Sequence, residues 1–223
     1  MTITIIMPCL NEQNTVGECV RNALKEMKKL NIDGEILVID NGSTDNSIVE
    51  AINNGAEVII ENKRGYGNAI RRGIKEASNK YIVMLDCDCS YSLENLQQFI
   101  DLLDKGFQFI NGNRFFGTIE NKAMPFSHKI GVPILSKICK VKYKVNINDF
   151  HCGLRAFNKD YFNDEDFHTS GMEFATEFIN IASKNCTNIT EIPVNLYKDK
   201  RGHKSHLNTV RDGIRHLKYI INS

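Results

Sequence analysis

Two carboxylates one residue apart, Asp86 and Asp88 in Leu85-Asp86-Cys87-Asp88-Cys89-Ser90-Tyr91, follow a short apolar run. If the extended backbone persists through them, both side chains leave on the same side. Two hard oxygen ligands so placed suit a cation that keeps waters and substrate phosphates in its shell, as Mg²⁺ and Mn²⁺ do. An isolated Asp-x-Asp more often only ends a strand, so the assignment rests on its companions. One is Asp40-Asn41-Gly42-Ser43-Thr44-Asp45, a turn-forming stretch after its own apolar run. A carboxylate there can accept hydrogen bonds from a base N–H or ribose hydroxyls. The other is Arg64-Gly65-Tyr66-Gly67-Asn68, ahead of a helical segment with Arg71 and Arg72, where glycine backbone and a helix start can face a phosphate. Cys87 and Cys89 alternate with the aspartates and are expected to point toward the core as small hydrophobes. No further pair of ligands at zinc spacing accompanies them.

These loops need strands to carry them. The first half alternates short β-branched runs with segments of helical period, the pattern of βαβ units and a largely parallel sheet. Strands are expected at 2 to 7, 35 to 39, 57 to 60, 81 to 85 and 107 to 111. Val16, Val20, Ala23, Leu24 and Met27 recur at helical spacing and predict a helix packed on the sheet. Residues 92 to 103 predict another, with Ser92 as N-cap and Leu96, Phe99, Ile100 and Leu103 on one stripe. In open α/β sheets ligands bind outside the carboxyl ends of the strands, so the loops after strands one, two and four should converge on one edge. Beyond residue 112 the alternation gives way to polar loops with Arg114, Lys129, Asp149 and Arg155, then a helix at 172 to 184 and a strand at 188 to 193.

At 223 residues the chain fits one large α/β domain with its own core. Twenty-eight Lys plus Arg against 27 Asp plus Glu give a net charge of +1, which offers nothing to a whole-surface nucleic-acid binder. The seven scattered cysteines follow no basic leader segment, and a cytoplasmic location is expected. The longest clean apolar run, Ile82 to Leu85, is far short of the ~20 residues of a spanning helix. Near the end, Leu207, Val210, Ile214, Leu217 and Ile221 share one helical side, with Arg211, Arg215 and Lys218 among the polar positions. Such a helix either docks on its own domain or makes a peripheral contact with the cytoplasmic face of a membrane.

In order, Ile5-Ile6-Met7-Pro8 with Asn11-Glu12, Val38 to Asp45, Arg64 to Ala69 and Leu85 to Tyr91 resemble a family 2 glycosyltransferase of the GT-A fold. Gly112-Asn113-Arg114-Phe115, Asp149 to Arg155, Gly171-Met172-Glu173-Phe174 and Glu191-Ile192-Pro193-Val194 are similar to the polyprenyl-phosphate and dolichyl-phosphate sugar synthases. The resemblance covers almost the whole chain. It implies a Rossmann-like, mostly parallel central sheet flanked by helices in a single domain, 1–223. Within it, 1–111 would be the nucleotide-sugar-binding half, 112–206 the acceptor half and 207–221 a C-terminal amphipathic helix. It further implies that Pro8, Leu10, Glu12, Asp40, Gly65 and Asp86 hold the donor nucleotide, and that Asp86 and Asp88 hold Mg²⁺ or Mn²⁺ under the diphosphate. Arg114, Lys129 and Arg155 would meet an acceptor phosphate. Arg201 and Lys204, in the basic run Arg201 to His206, would close over the donor phosphates, in keeping with arginine's fork and lysine's point charge. Many of these relatives continue into membrane helices, whereas the sequence here stops at Ser223.

The implied reaction is transfer, with inversion, from a nucleotide-diphosphate sugar to a polyprenyl phosphate, with catalytic roles falling to Asp149, Arg155 and Glu173. An ionised phosphate acceptor needs no strong base, whereas a hydroxyl acceptor on a glycan needs a carboxylate within reach, and Asp149 or Glu173 would supply it. His151, beside Asp149, is expected to be a loop donor rather than part of a dyad. A nucleotidyltransferase would want Gly and Lys directly after strand one, and Pro8 to Glu12 has neither. A non-catalytic nucleotide-sugar-binding protein would not need both aspartates and Arg155.

Overall fold

The first strand, β1 (Thr2–Cys9), alternates between two packed layers: Ile3, Ile5 and Met7 face one and Ile6 the other, all fully buried. The computed structural model to which it belongs describes residues 1–203 and 209–223, with backbone alone at 209 and 210. β1 is followed by α1 (Val16–Lys29), β2 (Asp33–Asp40), α2 (Ser47–Asn53), β3 (Glu57–Ile60), α3 (Tyr66–Glu76), β4 (Tyr81–Met84), α4 (Leu96–Asp104) and β5 (Phe109–Asn113). The second half contributes α5 (Phe126–Tyr143), β6 (Arg155–Asn158), α6 (Phe174–Asn185), β7 (Ile189–Pro193) and α7 (Thr209–Asn222). The seven strands form one sheet in the order β3-β2-β1-β4-β6-β5-β7, parallel throughout except for β6, which runs against both neighbours. This is the mostly parallel, helix-flanked GT-A arrangement.

Each layer is a run of apolar periodicity. α1 buries Val16, Val20, Ala23 and Met27 on one face of the sheet, with Glu18 in its first turn and Lys28 and Lys29 in its last, each charge matched to its end of the helix. Leu24, expected on the same face, is 39% exposed. α3 buries Ala69, Ile70 and Ile74 on the other face, where Phe109, Phe157, Phe162, Phe167, Phe174 and Phe178 form an aromatic cluster. α4 begins only at Leu96, after Asn95, and the buried Ser92 hydroxyl has no partner, so Ser92 does not cap it.

Two elements are absent from the sequence reading. β6 is four residues long and opens on an arginine, so it carries no alternation that periodicity would register. α5 contains Pro133, which ordinarily breaks a helix interior, and its large apolar residues face outward rather than into the core. Phe126, Ile130, Ile134, Ile138 and Val141 are 45 to 78% exposed. The same inversion occurs in α7: the stripe of Ile214, Leu217 and Ile221 is exposed, while Asp212, His216 and Ile220 face the domain. α7 is held there by His216 Nδ1 with Thr176 Oγ1 at 2.8 Å, Asn180 Nδ2 donating to Tyr219 Oη at 2.8 Å, and Lys142 Nζ donating to the Ile220 carbonyl. Leu207 and the Val210 side chain lie outside the described residues.

Candidate functional site

A cavity of about 570 Å³ opens at the carboxyl ends of β1, β2 and β4. The loop after β1 is stitched to the loop after β2: Asn11 N donates to Ser43 Oγ at 2.9 Å, Glu12 N to Ser47 Oγ at 2.7 Å, and Thr44 N to Asn11 Oδ1 at 2.7 Å. Asn11 adopts left-handed backbone, φ 57°, which asparagine tolerates. Asp40 is buried, its carboxylate accepting Gly42 N at 2.9 Å and Ser43 N at 3.1 Å, so it builds the turn while keeping further acceptor capacity. Asn41 ties that turn to the next loop, donating to the Glu61 and Lys63 carbonyls and accepting Gly65 N at 2.7 Å. Gly65 stands at φ 136°, where a Cβ would strike the Ser170 carbonyl. Pro8, Leu10, Glu12, Gly65 and Asp86 line the cavity. Arg71 and Arg72 do not: they pair with Asp164 and Glu76 at the surface.

Asp86 and Asp88 both line this cavity, as the strand geometry predicts. Tyr66 Oη donates to Asp86 Oδ1 at 3.2 Å, and Gly153 packs so closely that a Cβ there would overlap Asp86 Oδ2. Asp88 accepts Ser90 N at 2.9 Å and pairs with Arg201, whose Nη1 also lies 3.2 Å from Glu12 Oε1. Burial pushes the Asp86 carboxyl up to about 6, with the neighbouring Asp88 adding to the effect against Tyr66 and Arg201. Burial likewise pushes Glu12 up to about 7, Arg201 opposing and Asp88 reinforcing. Glu12, Asp86 and Asp88 thus face the same cavity, with Arg201 paired to two of them. No cluster of three or more His, Cys, Asp or Glu placed to hold a metal occurs among the described residues. Cys87 is buried as expected, its thiol donating to the Pro8 carbonyl at 3.0 Å, whereas Cys89 is half-buried beside Cys19.

Arg114, His128, Arg211 and Arg215 also line the cavity, the last two from α7. Lys129, expected there, is exposed on α5 and does not line the cavity, whereas its neighbour His128 does. Lys204 lies outside the described residues. Asp149 and Arg155, expected at the reacting atoms, are both fully buried. Asp149 accepts Arg114 N, Nε and Nη2 at 3.1, 2.7 and 2.8 Å and His151 N at 3.2 Å. Arg155 donates to the Phe150, Cys152 and Ala175 carbonyls at 2.8, 3.1 and 3.1 Å and lies over the Phe178 ring. Glu173 is buried and held by Arg215 at 2.9 Å. The His151 backbone N–H donates to Asp149, while its ring nitrogens have no hydrogen-bond partner among the described residues, its ring stands edge-on to His216 at 4.5 Å, and burial holds its pKa well below the ordinary value.

Sequence reasoning missed Tyr66, Asn41 and His128, and it read Arg211 and Arg215 only as the polar side of a helix. Tyr66 and Asn41 lie inside motifs already singled out, whereas the two arginines enter only through the docking of α7.

The family model described as "Glycosyl transferase family 2" matches residues 4–165. The chain is 33% identical over 222 residues to the low-salt glycan biosynthesis hexosyltransferase Agl6 of Haloferax volcanii, covering 99% of this chain and 53% of that protein. It thus spans about half the length of that relative. It is 25% identical over 202 residues to a dolichyl-phosphate hexose transferase of the same organism, covering 90% of this chain and 84% of the other. Among solved structures, glucosyl-3-phosphoglycerate synthase from Mycobacterium tuberculosis with Mn²⁺, UDP-glucose and phosphoglyceric acid superposes with a TM-score of 0.71 at 17% identity, covering 99% of this chain and 79% of that one. That likeness is one of fold.

Proposed function

The chain belongs to glycosyl transferase family 2, and on that premise we propose that it transfers a hexose, with inversion, from a nucleotide-diphosphate sugar to a polyprenyl phosphate. The observation that carries this reading is a single cavity lined both by the carboxylates Glu12, Asp86 and Asp88 and by arginines, among them Arg114, Arg201 and Arg215. Residues 1–111 form the donor half, in which Pro8, Leu10, Glu12, Asp40 and Gly65 hold the nucleotide. Asp86 and Asp88 hold Mg²⁺ or Mn²⁺, which when bound neutralises charge on the departing diphosphate. Arg201 exchanges its carboxylate partners for the donor phosphates, for which its planar fork is suited.

Residues 112–206 and the C-terminal helix supply the acceptor side. The two carboxylates eligible as bases, Asp149 and Glu173, are each held by an arginine, which favours an acceptor that arrives already ionised. Arg114, fixed by Asp149, and Arg215, fixed by Glu173, orient that phosphate, and Asp149 and Arg155 act as positioning residues. The apolar stripes of α5 and α7 support a lipid-bearing acceptor and a peripheral seat on an anionic membrane face. The helices pack side by side, α5 contains no Asp or Glu, and the single acidic residue of α7, Asp212, is buried. No described helix is long and apolar enough to cross a membrane.

The test offers polyprenyl phosphate, the matching polyprenol and a soluble glycan in parallel, with a panel of nucleotide sugars and Mn²⁺. Transfer to the phosphate alone is the expected result. Transfer to the polyprenol or glycan instead would replace the acceptor assignment, and no hydrolysis or transfer with any donor would leave a binding protein.

A further inference from the structure

A second cleft, of about 610 Å³, lies between α1, the loop after β4 and the segment 197–200. Cys19 and Cys89 both line it. Cys19 comes from α1 and is 4% exposed, while Cys89 is half-buried at the turn of the loop in left-handed backbone, φ 63°. Their sulfurs are 3.5 Å apart, and both thiols are free. The other two thiols beneath this loop, Cys9 and Cys87, are each 2% exposed and lie toward the donor cavity.

We propose that Cys19 and Cys89 form an oxidation site for a hydroperoxide, closing a reversible disulfide that ties α1 to the loop carrying Asp88. The more accessible Cys89 sulfur attacks the peroxide, whose O–O bond breaks. One oxygen stays as the sulfenic acid and the other leaves, protonated, as water or an alcohol. The Cys19 sulfur then attacks the sulfenic sulfur, the S–O bond breaks, and a second water leaves with the remaining thiol proton. Two thiols are oxidised by two electrons and one peroxide is reduced.

Closure to a disulfide of about 2.05 Å draws the sulfurs together by roughly 1.5 Å. Cys89 is bonded directly to Asp88, whose carbonyl accepts Lys200 N at 3.0 Å and whose carboxylate accepts Ser90 N at 2.9 Å. Pulling Cys89 toward α1 therefore turns the 88–90 backbone and moves the Asp88 carboxylate away from Asp86. This coupling rests on the metal role proposed for Asp88, whereas the oxidation does not.

The reduced chain is treated with hydrogen peroxide, alkylated, and cleaved after Glu and before Asp, which separates 19–26 and 88–94 from the pieces bearing Cys9 and Cys87. A 19–26 to 88–94 cross-link removed by dithiothreitol is expected, with Mn²⁺ affinity falling about tenfold on oxidation and returning on reduction. Cys19→Ser should abolish both effects and leave Cys89 as a sulfenic acid that dimedone traps. A Cys9 to Cys87 link, or no internal link, overturns the oxidation site. The expected link with unchanged Mn²⁺ affinity overturns the coupling. A reduced protein that binds no Mn²⁺ removes the role of Asp88, and the cross-link map still decides the thiol pair.

Discussion

Asp88 shows how little a motif says until its neighbours are known. Asp88 shares Arg201 with Glu12, and burial drives the Asp86 and Glu12 carboxyls upward. Asp88→Asn should abolish the Mn²⁺-induced rise in Tm and lower transfer by about 10²-fold or more, because stabilisation of the leaving charge is lost. Circular dichroism of the metal-free variant should match the parent. The pH dependence has a definite sign. A carboxyl whose folded pKa is raised binds protons more tightly folded than unfolded, so the metal-free protein gains stability from these two groups as pH falls from about 7 toward 4. His151 and His216, held neutral by burial, act oppositely below about 6.5, His216 being pushed down to about 4. The Mn²⁺-induced increment isolates the carboxyls: a cation must displace their protons, so the rise in Tm should be larger at about pH 8 than at about pH 5.5. An increment independent of pH would detach Asp86 and Glu12 from the cation.

At the scale of elements, β6 decides what Arg155 does. As its first residue, Arg155 pairs with Met84 at the end of β4 and with Asn111 of β5, which buries the guanidinium among carbonyls and phenylalanine rings. Arg155→Met should strand those carbonyls and cost about 3 kcal/mol, lowering Tm by roughly 6–12 °C. Turnover per folded molecule should stay within a few fold in a cold assay. A stable but inactive variant would restore a direct role in the reaction. This also locates the limit of sequence reading. The first half was legible because its strands announce themselves by β-branched residues and end in polar loops such as Asp40 to Asp45 and Asp86 to Ser90, so β1, β2, β3 and β4 fell where expected, and Glu12, Asp86 and Asp88 line one cavity. The second half was not, because its residues are placed by tertiary events. A four-residue antiparallel strand puts Arg155 in the core, and α7 docks through Asp212, His216 and Ile220 rather than its more hydrophobic stripe. Periodicity reports that a helix has an apolar face, but not whether the domain is what covers it.

For the whole molecule, the exposed stripes of α5 and α7 are the largest departure from a solvated surface. Ile134→Glu with Ile138→Glu should reduce sedimentation with vesicles containing anionic lipid while leaving Tm nearly unchanged, since both side chains are about half exposed. Undiminished binding would remove this face as the membrane seat.

The reversed direction of β6 reaches further than the packing of Arg155. The chain leaves the sheet after Asn113 and re-enters at Arg155, and because Asn111 sits opposite Arg155, with Gly112 N donating to the Leu154 carbonyl at 2.9 Å, exit and re-entry are side by side. Everything between them, including α5 and the anchor for Arg114, is an excursion from two adjacent points on a rigid frame. Its ends are already closed, so changes in its length cost little chain entropy. The exposed stretches of residues 114–154 can therefore change length without redrawing the strands that lead to Asp86, whereas Cys139, Ile147, Phe150 and Leu154, buried in the core, must stay.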